Sequence, residues 1–175
     1  MSKATDLVGS AGLFAAAAEL ARWDWLVSPT FGNAKRTDLL AQHTAIQRTA
    51  AIQVKTRARG DFQLDVFDHA PPDANEWVVL VTLGERGTQP AFNVVPRNHV
   101  CLVVRMVAAL KESEGKSWPR KVITEREFAR YRGCWELMTA PAEEAPWMLR
   151  QWVFDYLANY PQPELLAPAA PATEA

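Results

Sequence analysis

The sequence predicts an α/β fold in which a mixed central sheet is flanked by helices and an N-terminal helix comes first. Three observations support this prediction. An alanine-rich run near the N-terminus has apolar residues at helical spacing, short strand-like runs follow it, and further helical patterns follow those runs. In a chain of 175 residues, this order is typical of one α/β domain that can bury a substantial core.

The first helix is predicted over residues 11–23, after a polar lead-in at residues 1–9. The residues that recur at helical spacing and form one apolar face are Leu13, Ala16, Ala17 and Leu20. Several of these side chains are small. The helix is therefore expected to lie close to the sheet.

Six strands are predicted after this helix. They cover residues 25–30, 37–42, 50–56, 62–67, 77–83 and 91–95. The link between the second and third strands is short enough for a hairpin. In the third strand, Ile52 and Val54 alternate with two polar residues, so Gln53 and Lys55 are expected on one face. The continuous apolar run at 77–83 predicts a buried strand.

Helices are predicted to complete the domain after the strands. One covers residues 98–111, and the Thr124 and Glu127 pair has the pattern of a capping box that opens a short helix. A last helix is predicted at 146–160, with an apolar stripe formed by Trp147, Val153, Phe154 and Leu157. Residues 161–175 are rich in Pro and Ala and are expected to be disordered, so the predicted domain is 10–160.

Charge and composition restrict the classes of function. The net charge of −1 argues against a general polyanion binder, yet residues 22–59 contain seven basic and two acidic residues. This segment indicates either a local anion-binding face or solvated arginines at strand ends. No signal peptide or membrane-spanning run is recognised, so a cytoplasmic location without membrane contact is expected.

Cysteine and histidine give no metal-ligand pattern. Cys101 and Cys134 are far apart in the sequence, which argues against a disulfide framework or a structural zinc site. The three histidines, His43, His69 and His99, show no ligand spacing and are predicted to be surface or capping residues.

One group of residues has the chemistry of a phosphodiester-cleaving site. Asp38 lies on the second predicted strand, and Gln53 and Lys55 lie on the third. A hairpin can place Asp38 beside Gln53, and both residues offer the oxygen ligands that Mg²⁺ prefers. Lys55 on the same face could orient the attacking water or stabilise charge on the phosphate. The sequence therefore predicts a catalytic group of Asp38, Gln53 and Lys55, with Asp38 and Gln53 as metal ligands.

The order of these motifs resembles the PD-(D/E)XK nuclease superfamily. The similarity is closest to small bacterial nuclease-like domains with a Gln-x-Lys motif, and it covers about residues 10–100. The matching pieces are Gly12-Leu13-Phe14 with Ala18-Glu19-Leu20, then Gly32-Asn33-Ala34-Lys35 with Asp38-Leu39-Leu40, then Ile52-Gln53-Val54-Lys55-Thr56. The resemblance implies a restriction-endonuclease-like core, Mg²⁺ or Mn²⁺ as cofactor and DNA as the partner, and it leaves a homodimer open.

Two departures from the family pattern bear on activity. The first-helix glutamate of the family corresponds to Leu13, and Gln53 replaces the usual acid. Glu19 on the same helix is a candidate accessory ligand, and its alternative is a surface pair with Arg22 three residues later. A catalytically weak or inactive member of the fold, which binds nucleic acid or a protein, is therefore the alternative function.

Two further sets of residues are assigned roles outside the catalytic group. The basic residues expected to contact phosphate groups around the site are Lys35, Arg36, Arg57 and Arg59. The tryptophans outside the predicted site, which favour the binding alternative, are Trp118, Trp135, Trp147 and Trp152. A third interpretation, a small structural or oligomerising α/β protein, predicts no basic cleft around Lys55.

Overall fold

A computed structural model describes residues 3–30, 37–64 and 75–140 of the chain. In these ranges the helices are α1 (Lys3–Arg22) and α2 (Arg97–Ser113), and two 3₁₀ helices follow at Glu125–Tyr131 and Trp135–Met138. The strands are β1 (Trp25–Pro29), β2 (Leu39–His43), β3 (Thr49–Arg57), β4 (Phe62–Gln63), β5 (Glu76–Thr82), β6 (Ala91–Pro96) and β7 (Val122–Ile123).

The main sheet has five strands in the order β1-β2-β3-β5-β6. The first three strands form an antiparallel meander, β5 pairs with β3 in parallel, and β6 pairs with β5 antiparallel. Strands β4 and β7 form a separate two-stranded sheet. The predicted α/β fold, with the N-terminal helix first and a mixed sheet, is confirmed.

Strand β5 lies near the centre of the hydrophobic core. Its residues from Val78 to Val81 are fully buried, as expected for an apolar strand that is covered on both faces. The predicted hairpin between β2 and β3 is also confirmed, with Leu39 opposite Ile52 and Gln42 opposite Thr49.

Helix α1 lies directly against β3. Gly12, Ala16 and Leu20 are buried at intervals of four residues and form the contact stripe. A Cβ atom added to Gly12 would lie 1.9 Å from Oγ1 of Thr56, so only glycine fits at this crossing. Because Thr56 points towards α1, strand alternation places Gln53 and Lys55 on the opposite face of β3.

The first 3₁₀ helix packs on the other face of the sheet. The side-chain amide of Asn93 on β6 donates a hydrogen bond to the carbonyl of Phe128 at 2.7 Å. Phe128 and Tyr131 are buried there. Helix α2 packs against β5 and β6, and most of the buried residues in its first half are apolar.

The structure corrects the predicted start of the first helix and the predicted capping at Thr124. Helix α1 begins at Lys3, so the polar lead-in over residues 1–9 is wrong. Gly9 lowers helix stability by only about 1 kcal/mol relative to alanine, which a long helix tolerates. The short helix predicted after Thr124 is present as the 3₁₀ helix Glu125–Tyr131, but the capping bond predicted for the Thr124 side chain is not. The Thr124 side chain makes no capping bond, and its carbonyl accepts the N–H of Glu127 at 3.2 Å in a 3₁₀ turn.

The other predicted helix and strand boundaries differ less from the structure or lie outside the described residues. The fourth strand is short, at Phe62–Gln63, and α2 extends to Ser113. The predicted helix at 146–160 and the tail at 161–175 lie outside the described residues. Both cysteines are free, and Cys101 is buried, in line with the absence of a predicted disulfide framework.

The prediction that His99 is a surface or capping residue is wrong. Its side chain is buried, and its Nδ1 atom shares a hydrogen bond with the Tyr131 hydroxyl at 2.5 Å. Burial lowers the pKa of His99 from 6.5 to about 4, because the charged imidazolium would lose its hydration. His43 is partly exposed and accepts the N–H of Ala45 within its turn.

Because His99 is buried with a lowered pKa, we expect the folded protein to lose stability in acid. As the pH falls from about 6.5 towards 4, the unfolded chain gains a proton at His99 that the folded chain does not bind. We expect this difference to remove about 2–3 kcal/mol of the free energy of unfolding between pH 7.5 and 4.5. Urea unfolding at both pH values measures it. The variant His99→Leu should show a correspondingly smaller loss, and an equal loss in both proteins would contradict the prediction.

Candidate functional site

Asp38 is held in place where β2 meets β3. Its backbone N–H donates to the carbonyl of Ile52 at 2.9 Å, and its Oδ2 atom accepts the backbone N–H of Val54 at 2.7 Å. These two bonds lie on either side of Gln53 in the sequence, so Asp38 is opposite Gln53. On the β1 side, the Asp38 carbonyl accepts the N–H of Thr30 at 3.0 Å.

The Asp38 carboxylate has a structural role that the sequence did not predict. Val54 would normally donate its N–H to a backbone carbonyl of the neighbouring strand, and here the carboxylate replaces that carbonyl. The side chain therefore lies across the end of the β2–β3 ladder. One carboxylate oxygen makes this bond, and a carboxylate can accept further ligands through its remaining lone pairs.

Gln53 has an unusual hydrogen-bonding state. The residue is 5% exposed, and among the described residues its Oε1 atom has no hydrogen-bond partner. Leaving a buried acceptor unsatisfied costs about 1–3 kcal/mol, so such atoms are rare in folded proteins. The orphaned oxygen beside Asp38 is thus an available ligand for a donor or a cation.

Lys55 follows Gln53 on the same face of β3. It is half-buried and lies opposite Leu80 in the parallel pairing of β3 with β5. The strand therefore carries an amide oxygen and an ammonium group two residues apart on one face. Such a pair can hold a cation through the amide oxygen and an anionic group through the ammonium at adjacent positions.

A hard cation fits this donor set, although the set is small. Asp38 and Gln53 offer a charged and a neutral oxygen, which suits Mg²⁺ or Mn²⁺. Within residues 3–30, 37–64 and 75–140 there is no cluster of three or more His, Cys, Asp or Glu side chains that could hold a metal ion. A cation here would need water or substrate oxygens to complete its coordination.

Helix α1 packs on the face of β3 opposite to Gln53 and Lys55. Leu13, at the position of the family glutamate, is a partly buried apolar residue packed against the core. Glu19 forms an ion pair with Arg22, whose Nη1 atom lies 2.9 Å from Oε2. The surface pair that the sequence left open for Glu19 is therefore present.

The two described arginines that were predicted to contact phosphate have acidic partners. Arg57, with 11% of its side chain exposed, bonds Oε2 of Glu125 and donates to the Thr82 hydroxyl at 3.0 Å. Its guanidinium also lies 4.2 Å from the ring centroid of Phe62. Arg59 pairs with Glu85 at 2.9 Å on the surface. Lys35 and Arg36 lie outside the described residues.

The basic segment at residues 22–59 is therefore not a uniformly available anion-binding face. Four of its seven basic side chains, those of Arg22, Arg48, Arg57 and Arg59, bond to carboxylates or carbonyls of this chain. Lys55 is two residues from Gln53 on the same face of β3. The charge excess alone did not distinguish structural arginines from a binding surface.

Sequence reasoning missed the partner of Arg57. Glu125 is 68 residues away in the sequence, and its carboxylate also lies 3.3 Å from Arg132. Through Glu125, these contacts connect the first 3₁₀ helix to Arg57 at the end of β3 and Thr82 at the end of β5. No local motif marks such a contact, because it depends on how distant segments meet in the fold.

Comparisons with protein-family models, curated proteins and solved structures give no match to this chain. The resemblance to the PD-(D/E)XK superfamily therefore rests on the sequence motifs alone and stays a prediction. Among the described residues, neither helix has the length and apolar character needed to cross a bilayer.

Proposed function

We propose that this chain is a metal-dependent nuclease-like protein that acts on DNA phosphodiesters. The observation that supports this most directly is the buried Oε1 atom of Gln53, which has no hydrogen-bond partner and belongs to the residue opposite Asp38. The order of α1, the β1–β2–β3 meander and a parallel β5 is consistent with the restriction-endonuclease-like core that the motifs imply.

In the proposed mechanism, each of three side chains has a separate role. Asp38 and Gln53 would hold Mg²⁺ or Mn²⁺ through their oxygens, and the bound cation would polarise the phosphate and lower the pKa of the attacking water. Lys55 places a positive charge beside the phosphate, where it stabilises the negative charge that develops during attack.

The fixed position of Asp38 suits this role. The Val54 N–H holds its carboxylate and the bond to Ile52 holds its backbone before any ligand arrives, so little ordering is needed on binding. Nucleic acid, specifically DNA, is the proposed partner. A cytoplasmic location and a homodimer are further expectations of the same hypothesis.

Cleavage assays test this proposal. The wild-type chain is incubated with plasmid DNA and branched DNA in Mg²⁺, in Mn²⁺ and in EDTA. We expect nicking that depends on the metal ion and is lost in Asp38→Asn, which keeps an acceptor oxygen for Val54 but loses the negative charge. No cleavage by the wild type on either substrate, or equal cleavage by Asp38→Asn, would reject the proposal.

A non-catalytic binding function is the second candidate. It is favoured by Leu13, which places an apolar side chain where the family has a carboxylate. The tryptophans give it less support than the sequence suggested. Trp135 is buried and Trp118 packs against the core, while Trp147 and Trp152 lie outside the described residues. DNA binding that is independent of divalent metal, without cleavage, would favour this candidate.

A further inference from the structure

A cleft lies on the face of the β1–β2–β3 meander opposite to α1. Two rows of side chains that cross the three strands form its floor, namely Leu26, Gln42 and Thr49, then Ser28, Leu40 and Ala51. Leu26 is 65% exposed and Leu40 is 52% exposed, so two neighbouring strands present large aliphatic side chains to solvent. A contiguous apolar patch indicates a binding surface, whereas single exposed apolar residues do not.

The cleft borders the candidate metal site. The row that follows Ser28, Leu40 and Ala51 contains Asp38 opposite Gln53, because alternate residues of a strand share one face. Two residues along a strand cover about 7 Å. A ligand that is bound at Asp38 and Gln53 therefore has to extend by only about this distance along the sheet to contact Leu40.

The lining of the cleft carries no charge. All the residues that line it are apolar or neutral polar, so it offers no counter-charge to a phosphate group. Glu76, which pairs with Ala51 at the side of the cleft, has its carboxylate 3.3 Å from Nε of the buried Arg97, and this ion pair balances its charge. The cleft is therefore suited to an uncharged part of a ligand.

A nucleobase matches both the size and the polarity of the cleft. The cleft volume of about 610 Å³ lies in the range of sites that hold small organic ligands. Leu26 and Leu40 can pack against the face of a heterocycle, and Ser28, Gln42 and Thr49 can exchange hydrogen bonds with its edge. The face of a base is accessible only when the base is unstacked, so an unpaired nucleotide fits the cleft and an intact duplex does not.

We propose that this cleft binds an unpaired base of a DNA strand whose neighbouring phosphate lies at Asp38, Gln53 and Lys55. The identity of the ligand as DNA rests on the proposed nuclease function. The cleft adds that the substrate has an unstacked nucleotide beside the phosphate that is attacked. Gapped or branched DNA is then a better substrate than an intact duplex.

Equilibrium binding in EDTA tests the cleft separately from cleavage. Fluorescence anisotropy compares a labelled oligothymidylate with a blunt duplex of equal length. We expect the wild type to bind the oligothymidylate at least about fivefold more tightly than the duplex. Leu40→Ser and Leu26→Ser should each lose about fivefold of the affinity for the oligothymidylate, the lower end of the range for contacts to one base. Circular dichroism shows whether each variant remains folded.

Leu7→Ser is the matched control, because Leu7 is 71% exposed on α1, away from the cleft. It should bind the oligothymidylate as the wild type does. The proposal is overturned if the wild type binds no oligothymidylate or binds both DNAs equally, if the folded cleft variants bind unchanged, or if Leu7→Ser loses as much affinity as they do.

The same variants separate this proposal from the nuclease function. Oligothymidylate binding that depends on Leu26 and Leu40 in EDTA, without cleavage in Mg²⁺ or Mn²⁺, would reject the nuclease function and retain the base-binding cleft. Metal-dependent cleavage without preference for gapped over intact duplex, together with unchanged binding by Leu40→Ser, would reject the cleft and retain the nuclease function.

Discussion

Replacing Lys55 with alanine should lower the rate of DNA cleavage by a factor of about 10²–10³ at saturating metal, the range expected when one electrostatic contact to the developing charge is removed. Lys55 is half-buried on the Gln53 face of β3, two residues from the proposed metal ligand Gln53. Cleavage of plasmid DNA under single-turnover conditions measures the effect, and urea unfolding shows whether the variant remains folded.

Arg59→Ala is the matched control for this variant. Arg59 is four residues further along the chain, carries the same charge, and pairs with Glu85 on the surface. Its removal should change cleavage by no more than about threefold, because exposed ion pairs contribute only about 0–1 kcal/mol. Similar losses in both variants would mean that Lys55 contributes only to the general charge of the chain, and would contradict its assigned role.

Gly12→Ala should destabilise the protein, although alanine is the better helix former. The new Cβ atom would meet Oγ1 of Thr56 at 1.9 Å and the Thr56 Cβ at 2.7 Å, so α1 and β3 must move apart. We expect the free energy of unfolding to fall by about 2 kcal/mol or more, after the gain of about 1 kcal/mol in helix propensity. Urea unfolding followed by circular dichroism measures this change.

Gly9→Ala gives the opposite expectation in the same helix. Gly9 is exposed, and a Cβ atom there would meet nothing within 4 Å. The protein should gain about 0.5–1 kcal/mol, because the alanine restricts the unfolded chain and favours the helix. Thr56→Ala should partly restore the stability of Gly12→Ala by removing Oγ1 and Cγ2. If both glycine variants were equally stable, α1 would not cross β3 at Gly12.

Features with a short sequence period were predictable from the sequence. The alternation around Gln53 and Lys55 and the apolar run of β5 gave the strands, and the short link before Thr49 gave the hairpin. These patterns reflect burial by neighbouring layers, which repeats every two residues in a strand.

Features that depend on distant contacts were not predictable. His99 has no sequence signal for burial, and its place depends on Tyr131, 32 residues later. The sequence did not distinguish Arg57 from a phosphate-binding residue, because its ion-pair partner Glu125 is far away in the sequence. For the candidate site, the sequence predicted that Asp38 lies beside Gln53. It could not show that Asp38 accepts the Val54 N–H or that the Gln53 oxygen is orphaned.

Mn²⁺ binding by wild type and Asp38→Asn, measured by titration calorimetry, tests most directly whether Asp38 and Gln53 form a metal site. The wild type should bind one Mn²⁺ with a Kd of about 10⁻⁴–10⁻³ M, as expected for a site with few charged ligands. In Asp38→Asn the affinity should fall at least about tenfold, since the ion would lose its charged ligand. The variant should stay folded, because asparagine can still accept the Val54 N–H. Equal Mn²⁺ affinity in the two proteins, or no binding by the wild type, would contradict the proposed site.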